Sequence, residues 1–341
     1  MDSTVIVNEG NPKKGVTGTT LKIIAIVTMF IDHFAGILVS PYLNQLYERA
    51  TDLGNGQGLL YTHPEILVGR FLYFLMSAIG RFGFPIFAFL LVEGFTHTRS
   101  VAKYARNLAI FAIISELPFN LALGNKLFYP SHQNVFFTLF LGLICIWMID
   151  KFAFNRQWPE KLAPLSYLAS ALLGAALGYF FTRTWIIVIL WKLVDVPNYC
   201  YYIAGAVIAL IIALIVHLIV SRQWDTERKN RYTVAVFITL VFAALATALG
   251  TDYNGIGIMT ITILYLYRAN KKKAFALSCV ILTILSLLEC AAFLMLIPIS
   301  KYNGERGKTI NKYFFYAFYP VHLGLLYLVA YLLGIAPFAI K

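Results

Sequence analysis

The sequence has few charged residues and little cysteine. Asp, Glu, Lys and Arg make up only 13% of its 341 residues, whereas 60% are hydrophobic and the mean hydropathy is +0.73. Such a composition lies far outside the range of soluble proteins and leaves no soluble domain, because a soluble fold needs far more polar surface. It predicts an all-α, polytopic integral membrane protein that lies in a lipid bilayer.

Cysteine is too sparse to build a cross-linked or metal-bound site. The four cysteines lie in or beside apolar segments, without paired spacing and without neighbouring histidine clusters. Because disulfide frameworks and zinc sites depend on such pairing, we predict neither disulfides nor a metal site. These residues are Cys145, Cys200, Cys279 and Cys290.

Acidic residues are also scarce, at 16 against 28 Lys and Arg, which gives a net charge of +12. The basic residues gather in short loops between apolar segments, as in residues 222–231 and 271–273. This is the pattern of cytoplasmic loops in membrane proteins, so we do not expect nucleic-acid binding. Residues 1–18 are polar and lack a cleaved signal-peptide pattern, so we expect a cytoplasmic segment followed by one membrane domain over residues 19–341.

Counting apolar runs against the positive-inside rule predicts about ten spans, in a bacterial plasma membrane, with both termini cytoplasmic. Residues 66–97 are too long for one straight span and are interrupted near Arg81 and Pro85. Residues 185–196 are too short for a crossing and are interpreted as re-entrant or interfacial. One loop disagrees with the count: residues 302–312 fall outside by parity yet are basic. Either one span is miscounted or this loop is basic for another reason.

The first apolar run, residues 21–39, contains the adjacent ionisable residues Asp32 and His33. Ionisable side chains at membrane depth are costly, so we interpret this pair as a functional site. Lys22 lies eleven residues before His33, which places both on one helix face about 16 Å apart along the axis. That face suits a long anionic molecule such as acetyl-coenzyme A. The alternative is that His33 only hydrogen-bonds another helix.

Other polar residues in apolar segments have both functional and structural interpretations. Arg81 at a helix entrance binds a phosphate or carboxylate, or anchors the helix at the interface. Glu116 serves as a base or pairs with Arg81. Asn134 binds substrate or caps a helix, and Asp252 acts in the site or in a turn.

Several sequence blocks together resemble the TraX family, a set of membrane proteins that is similar to the larger group of transmembrane acyltransferases. They occur in order from Leu21 to Leu326: LK and IDH in the first span, GR-x-x-FPIFAFLLVEG, SELPFN, QNVFFTL, DYNGIG, and YNGERGK before KYFFYAFYPVHL. The family takes its name from a protein needed for N-terminal acetylation of a conjugative pilin. The resemblance implies acetyl transfer from acetyl-coenzyme A, with pilin itself not expected as the acceptor.

The resemblance also supports specific roles. Related enzymes carry a basic residue eleven positions before a functional histidine, usually Arg, where this chain has Lys22. We therefore predict an acetyltransferase in which catalysis uses His33, Asp32 and Glu116. The predicted coenzyme-binding residues are Lys22, Arg81, Arg99, Lys103 and Arg106, and the predicted substrate-binding residues are Asn134, Asp252, Arg306 and His322.

Three alternatives stay open at this point. His33 acts as a general base or carries the acetyl group itself. The acceptor is a peptide amine, an amino sugar or a glycan hydroxyl. A different class, a proton-coupled transporter or channel, would use the intramembrane residues Asp32, His33, Glu116 and Glu289. A weaker option is an assembly factor that has kept the fold without the chemistry.

Overall fold

The computed structural model describes residues 14–52, 63–186 and 198–336. Within these ranges the secondary structure is helical apart from two isolated β-bridges, which confirms the all-α prediction. Three shorter apolar helices accompany seven that are long and apolar enough to cross a membrane, so this is a multi-pass membrane protein. The seven are Gly18–Thr51, Pro64–His97, Val101–Gly124, Val135–Phe154, Leu165–Thr184, Thr226–Ala248 and Tyr313–Leu332.

The described ranges contain thirteen α-helices. They are α1 (Gly18–Phe34), α2 (Ser40–Asp52), α3 (Pro64–Gly80), α4 (Gly83–His97), α5 (Val101–Phe119), α6 (Val135–Ile149), α7 (Leu165–Phe181), α8 (Asn198–Gln223), α9 (Thr226–Ala248), α10 (Asn254–Leu266), α11 (Lys271–Leu285), α12 (Leu296–Ser300) and α13 (Lys312–Leu332). The predicted re-entrant segment, residues 185–196, lies almost wholly outside the described residues, and so do residues 1–13.

Helix α1 begins at a side-chain cap and does not stop at the end of the predicted first span. The hydroxyl of Thr17 accepts from the N–H of Thr20, as N-cap residues do. A π-helical turn, Ala35–Val39, joins α1 to α2 and makes one continuous rod. Because π-turns shift the helix face, this turn changes the direction of side chains just after His33.

The predicted interruption of residues 66–97 is confirmed, and it lies at Arg81. Helix α3 ends at Gly80 and α4 begins at Gly83, with Pro85 in the first turn of α4. Proline is tolerated there because the first N–H groups of a helix have no intrahelical partner. The break leaves Arg81 between two helix ends, deep in the bundle.

The single span predicted over residues 274–299 is wrong, because this segment is a hairpin. Helix α11 ends at Leu285, Ser286 is extended, and a 3₁₀-helix (Leu287–Met295) returns alongside α11 into α12. The two ends of the hairpin meet, since Lys271 Nζ lies 4.4 Å from the ring centroid of Tyr302. Hydropathy missed the turn because the apolar run is continuous across it.

The hairpin resolves the disagreement over residues 302–312. Residues 301–308, here called the strap, close over the start of α1. The N–H of Thr19 donates to the carbonyl of Arg306 at 2.9 Å, and its hydroxyl donates to the carbonyl of Lys308 at 2.8 Å. The basic loop therefore lies at the same end of the bundle as the start of α1. One span had been miscounted, as the basic charge indicated.

The prediction that both ends of the chain lie on one face is also wrong for the described residues. Helices α1 and α13 run parallel: Lys22 Nζ is 5.3 Å from the Phe315 ring centroid near their first turns. Near their far ends, Gln45 Nε2 donates to the carbonyl of Gly334 at 3.1 Å. The start of α1 and the end of α13 thus lie at opposite ends of the bundle, and the number of crossings stays a prediction.

Small residues allow a close helix contact between α7 and α8. A Cβ added to Gly174 would lie 2.7 Å from Ala213 Cβ, and one added to Gly178 would lie 2.6 Å from Ala209 Cβ. Such spacing of small residues is how membrane helices approach without a hydrophobic driving force. The pair packs beside the core formed by α4, α6, α9, α10 and α11. The candidate site is lined by α1, α3, α5 and α13 together with α4 and α6 of that core.

Candidate functional site

Four cavities adjoin one another, and three of them lie along α1. The basic vestibule, about 360 Å³, is lined by Arg99 and Lys103, and the apolar cavity, about 250 Å³, reaches from Lys22 to Met29. The histidine cavity, about 50 Å³, extends from Met29 to His33, and the polar cavity, about 210 Å³, continues beyond His33. The cavities form a path that begins at the vestibule and then follows the first helix.

Shared side chains establish that neighbouring cavities adjoin. Tyr104 and Tyr316 line both the basic vestibule and the apolar cavity. Tyr319 lies between the apolar and histidine cavities, and the side chains of Asp32 and His33 line both the histidine and polar cavities. The imidazole of His33 is therefore placed between an apolar space on one side and a polar space on the other.

The basic end of this path is held together by polar contacts at the ends of the helices. Lys271 Nζ donates to Glu93 Oε2 at 3.0 Å. Burial, with Glu93 adding to it, raises the pKa of Tyr302 to about 12, so its phenol stays neutral beside that carboxylate. Arg306 lies close enough to Lys22 to repel it electrostatically. Lys22 and the strap thus concentrate positive charge where the apolar cavity begins.

Arg81 joins two carboxylates at the depth of His33. Its Nη2 donates to both oxygens of Asp32 at 2.9 Å, and its Nη1 donates to Oε1 of Glu289 at 3.3 Å. Its Nε donates to the carbonyl of Ser77 at 3.2 Å. Glu289 is fully buried and its other oxygen has no partner among the described residues. These hydrogen bonds fix the position of the guanidinium, and the two carboxylates balance its positive charge.

Gly80 permits this contact, and its replacement provides a test of the packing. A Cβ at residue 80 would lie 2.3 Å from both Cβ and Cγ of Asp32. We expect Gly80→Ala to lower the free energy of unfolding by about 1–3 kcal/mol through overpacking. The matched control is Gly324→Ala, whose new Cβ meets only Pro118 at 3.9 Å. Thermal unfolding in detergent measures both, and equal midpoints would contradict the close approach.

A strained turn presents Asp252 and Tyr253 to the site. Tyr253 has a left-handed backbone (φ 63°), which is unusual for a bulky residue and is common at functional sites. Two backbone hydrogen bonds hold the turn, since Gln133 donates to the carbonyl of Gly250 and Asp252 donates to that of Gln133, both at 2.9 Å. The Tyr253 ring stacks on Phe84 with centroids 3.8 Å apart. The turn thus places Asp252 on the walls of the histidine and polar cavities.

The predicted catalytic residues do not all meet. Asp32 and His33 line the same cavities, and Asp32 pairs with Arg81 instead of orienting His33, as adjacent helix positions imply. Glu116 lies beside the site: its Oε2 accepts from Asn134 Nδ2 at 2.6 Å, and it is absent from the cavity linings. The predicted Glu116–Arg81 pair is wrong, because Arg81 contacts Asp32 and Glu289 instead.

Three residues have structural contacts in place of the binding roles predicted for them. Arg81 is held by two carboxylates at the level of Asp32, which lies ten residues after Lys22 on α1. It is therefore not available to a phosphate at the basic end. Asn134 is fully buried; its amide donates to the carbonyl of Ala112 at 2.8 Å and its oxygen caps α6. His322 is 4% exposed and contacts His33. Asn134 is the helix cap that the alternative interpretation described.

The remaining predicted residues divide between the two ends of the path. Arg99 and Lys103 line the basic vestibule, whereas the exposed Arg106 lies near it without lining it. Arg306 lies at the basic end, not on the substrate side. Asp252 alone of the predicted substrate-binding residues lines the polar cavity.

Comparison with known proteins agrees with the sequence blocks. A family model described as TraX protein matches residues 17–214 and 182–330. The chain belongs to the TraX family. It is 25% identical over 317 residues to the probable fimbrial assembly protein FimC, serogroup H1, of Dichelobacter nodosus, an alignment that covers 90% of this chain and 92% of that protein. No solved structure matches the chain.

The TraX match extends over every helix that lines the cavities, from α1 to α13. Sequence reasoning about this TraX chain missed three contributors to the site. His132 lines the polar cavity from the loop before α6, and Tyr253 and Tyr319 line the histidine cavity. Tyr253 follows Asp252 directly, but nothing in its type distinguishes it from the many aromatic residues of the bilayer interface.

Proposed function

We propose that this TraX family member is a membrane-embedded acetyltransferase that takes acetyl groups from acetyl-coenzyme A. The observation that carries the proposal is the path of adjoining cavities from a basic entrance, through apolar walls, to His33. Its parts match the donor in order: cations for the phosphates, an apolar passage for the uncharged arm, and an imidazole for the thioester. The name of the D. nodosus relative supports a role for this activity in fimbrial assembly.

The donor would bind at the basic end. Lys22 lines the apolar cavity, and Arg306 and Lys308 of the strap lie close to the start of α1. Arg99 and Lys103 line the vestibule beside it. Lys and Arg are the side chains that bind phosphate by charge-assisted hydrogen bonds, so this group supports a phosphate site. The position of Arg306 beside the start of α1 supports a role at this proposed coenzyme site and not at the acceptor site predicted from the sequence.

His33 is the reactive group that the path reaches. Eleven residues of α1 separate it from Lys22, which is about 16 Å along the axis. Its imidazole either takes the proton of the acceptor as that group attacks the thioester, or attacks the thioester itself and passes the acetyl group on. In both routes the C–S bond breaks and the coenzyme leaves as the thiol, while a C–N or C–O bond forms on the acceptor.

The acceptor would approach from the polar cavity. Asp252, His132 and the Asp32–Arg81 pair line this space on the far side of His33 from the apolar cavity. Donor and acceptor would therefore meet at the imidazole from opposite ends of the bundle. A peptide amine, an amino sugar and a glycan hydroxyl all stay candidates.

Transport is the rival function. It would need mobile protons or ions on the intramembrane carboxylates, but Arg81 holds Asp32 and Glu289 in place. Proteoliposomes distinguish the two: an acetyltransferase releases coenzyme A thiol in proportion to acetyl groups transferred, whereas a transporter accumulates solute under a proton gradient without consuming acetyl-coenzyme A.

The direct test is purified protein in proteoliposomes with ¹⁴C-acetyl-coenzyme A. Hydroxylamine serves as a small general acceptor, and glycinamide, glucosamine and methyl glucoside represent the three acceptor classes. We expect thiol release with label transferred to at least one of them. Absence of both saturable acetyl-coenzyme A binding and thiol release would overturn the proposal.

Removing the charge of Lys22 should weaken donor binding. We expect Lys22→Ala to raise the Kd for acetyl-coenzyme A roughly tenfold to hundredfold, the usual cost of losing a charged hydrogen bond. Lys22→Arg should stay within about threefold, since it keeps the charge. Calorimetric titration measures both, with Lys126→Ala as the control because Lys126 lies on Tyr129 at the opposite end. An unchanged Kd in Lys22→Ala would remove the phosphate role.

A further inference from the structure

A chain of three hydrogen-bonding groups runs from α13 to His33. Nδ1 of His322 lies 2.6 Å from the carbonyl oxygen of Phe318, and Nε2 of His322 lies 2.7 Å from Nδ1 of His33. A carbonyl oxygen only accepts, so Nδ1 of His322 carries the proton. In a neutral imidazole the other nitrogen is then an acceptor, and Nδ1 of His33 must donate to it. Neutral His33 is left with its lone pair on Nε2.

Packing holds the two rings in this arrangement. His322 is 4% exposed, and its ring stacks on Phe318 with centroids 4.8 Å apart. The planes of His322 and His33 are inclined by only 18° and their centroids are 4.9 Å apart, which is the edge-to-edge arrangement that a hydrogen bond between ring nitrogens requires. The ring of Tyr319 is steeply inclined to both imidazoles, with centroids 5.7 and 5.8 Å away. Arg81 and His33 line the same polar cavity. Two imidazolium ions in contact beside this guanidinium would repel one another, which favours the neutral pair.

The two histidines are not equivalent. Both nitrogens of His322 are engaged, and His322 is absent from the cavity linings. His33 uses Nδ1 alone in its hydrogen bonds to the described residues, and its ring lines the histidine and polar cavities. Only His33 thus combines access to substrate with an unengaged ring nitrogen.

We propose that His322 is a positioning residue that fixes the tautomer and orientation of His33 and so makes Nε2 of His33 the reactive atom. This inference rests on the acetyl transfer proposed above. When Nε2 of His33 takes the acceptor proton, the Nδ1–H donor becomes part of an imidazolium, and its bond to His322 becomes charge-assisted. The C–N or C–O bond forms as the acceptor gives up this proton, and the proton then passes to the departing thiolate as the C–S bond breaks, so His33 returns to its starting tautomer.

Kinetics provides the first arm of the test, with hydroxylamine as acceptor and thiol release as the readout. His322→Leu removes the acceptor for Nδ1–H, and we expect kcat to fall about 100-fold, at the upper end for the loss of such an orienting partner. The KM for acetyl-coenzyme A should stay within threefold, because the basic end is untouched. His322→Gln, which again offers an acceptor oxygen, should recover kcat to within about tenfold of wild type.

The matched control is His217→Leu, because His217 contacts Tyr167 between α7 and α8, away from the cavities. It should change kcat less than twofold. Retention of wild-type kcat by His322→Leu, in protein that still binds acetyl-coenzyme A, would overturn the inference while leaving the acetyltransferase proposal in place. An equal fall of kcat in His322→Leu and His322→Gln would also contradict the inference, since the hydrogen-bond acceptor at residue 322 would then be irrelevant.

¹⁵N NMR of histidine-labelled protein provides the second arm and needs no acceptor. The wild-type signal of His33, assigned by comparison with His33→Ala, should show a protonated Nδ1 and an unprotonated Nε2. In His322→Leu we expect a shift toward the Nε2-protonated tautomer. A wild-type His33 protonated on Nε2 would overturn the inference whatever the activity. If wild-type protein neither binds nor cleaves acetyl-coenzyme A, the proposed function fails, and the catalytic meaning of the positioning fails with it.

Discussion

His33→Ala is expected to lower the kcat of acetyl transfer about 10³-fold, within the range that general acid–base residues contribute. The physical reason is that this imidazole lines the histidine and polar cavities, where donor and acceptor would meet. The Kd for acetyl-coenzyme A should change less than threefold, because the proposed phosphate contacts begin about 16 Å away at Lys22. Thiol release and equilibrium binding, measured on the same preparation, separate the two effects.

Chemical rescue sharpens this test. Replacing His33 by alanine enlarges the histidine cavity by the volume of an imidazole ring, so added imidazole should restore part of the rate. His217→Ala, which removes a histidine from the α7–α8 pair, is the control and should keep full activity. A wild-type rate of acetyl transfer in His33→Ala would contradict a catalytic role for His33.

Arg81→Ala is expected to have the largest effect on stability. It leaves Asp32 and the fully buried Glu289 without their shared cation, and breaking a buried ion pair from one side costs about 3–5 kcal/mol. A loss of that size should lower the melting temperature by about 10 °C. Thermal unfolding in detergent, followed by circular dichroism, measures the shift.

Two further sets of variants show whether the loss of stability in Arg81→Ala comes from its broken ion pairs. Arg70→Ala removes an exposed arginine of the adjoining helix α3, whose guanidinium lies 5.4 Å from the Tyr47 ring centroid, and should cost less than about 1 kcal/mol. Neutralising the stranded carboxylates with Asp32→Asn and Glu289→Gln should recover most of the stability lost in Arg81→Ala. Equal melting temperatures for the Arg70 and Arg81 variants would show that the carboxylates gain nothing from Arg81.

The helical class and the break at Arg81 could be predicted because both leave local signals. Hydropathy and segment length define the spans. Gly80 comes directly before Arg81 and Pro85 follows it, and these two residues indicate the break. The hairpin over residues 271–300 leaves no such signal, since its apolar run continues through Ser286. Only the basic charge of residues 302–312 pointed to the error, because loop charge depends on sidedness and not on hydropathy.

The candidate site could be predicted only where it lies on one helix. The spacing of Lys22 and His33 is fixed by helix geometry, so their common face follows from the sequence. The partners of the site residues depend on tertiary packing. Arg81 pairs with Asp32 and not with Glu116, and His322 lies within hydrogen-bond distance of His33. Contacts of this kind join residues far apart in the chain, and one sequence does not encode them in any local pattern.

The strap has a consequence for the order in which the protein is made. The start of α1 is completed by residues 301–308, which leave the ribosome almost three hundred residues after Thr19. At about 5–20 residues per second this is a delay of roughly 15–60 s, during which the first helix is inserted but its amino-terminal end stays open. The proposed donor entrance is thus among the last parts of the protein to be assembled, so it would be incomplete in a truncated chain that ends before the strap.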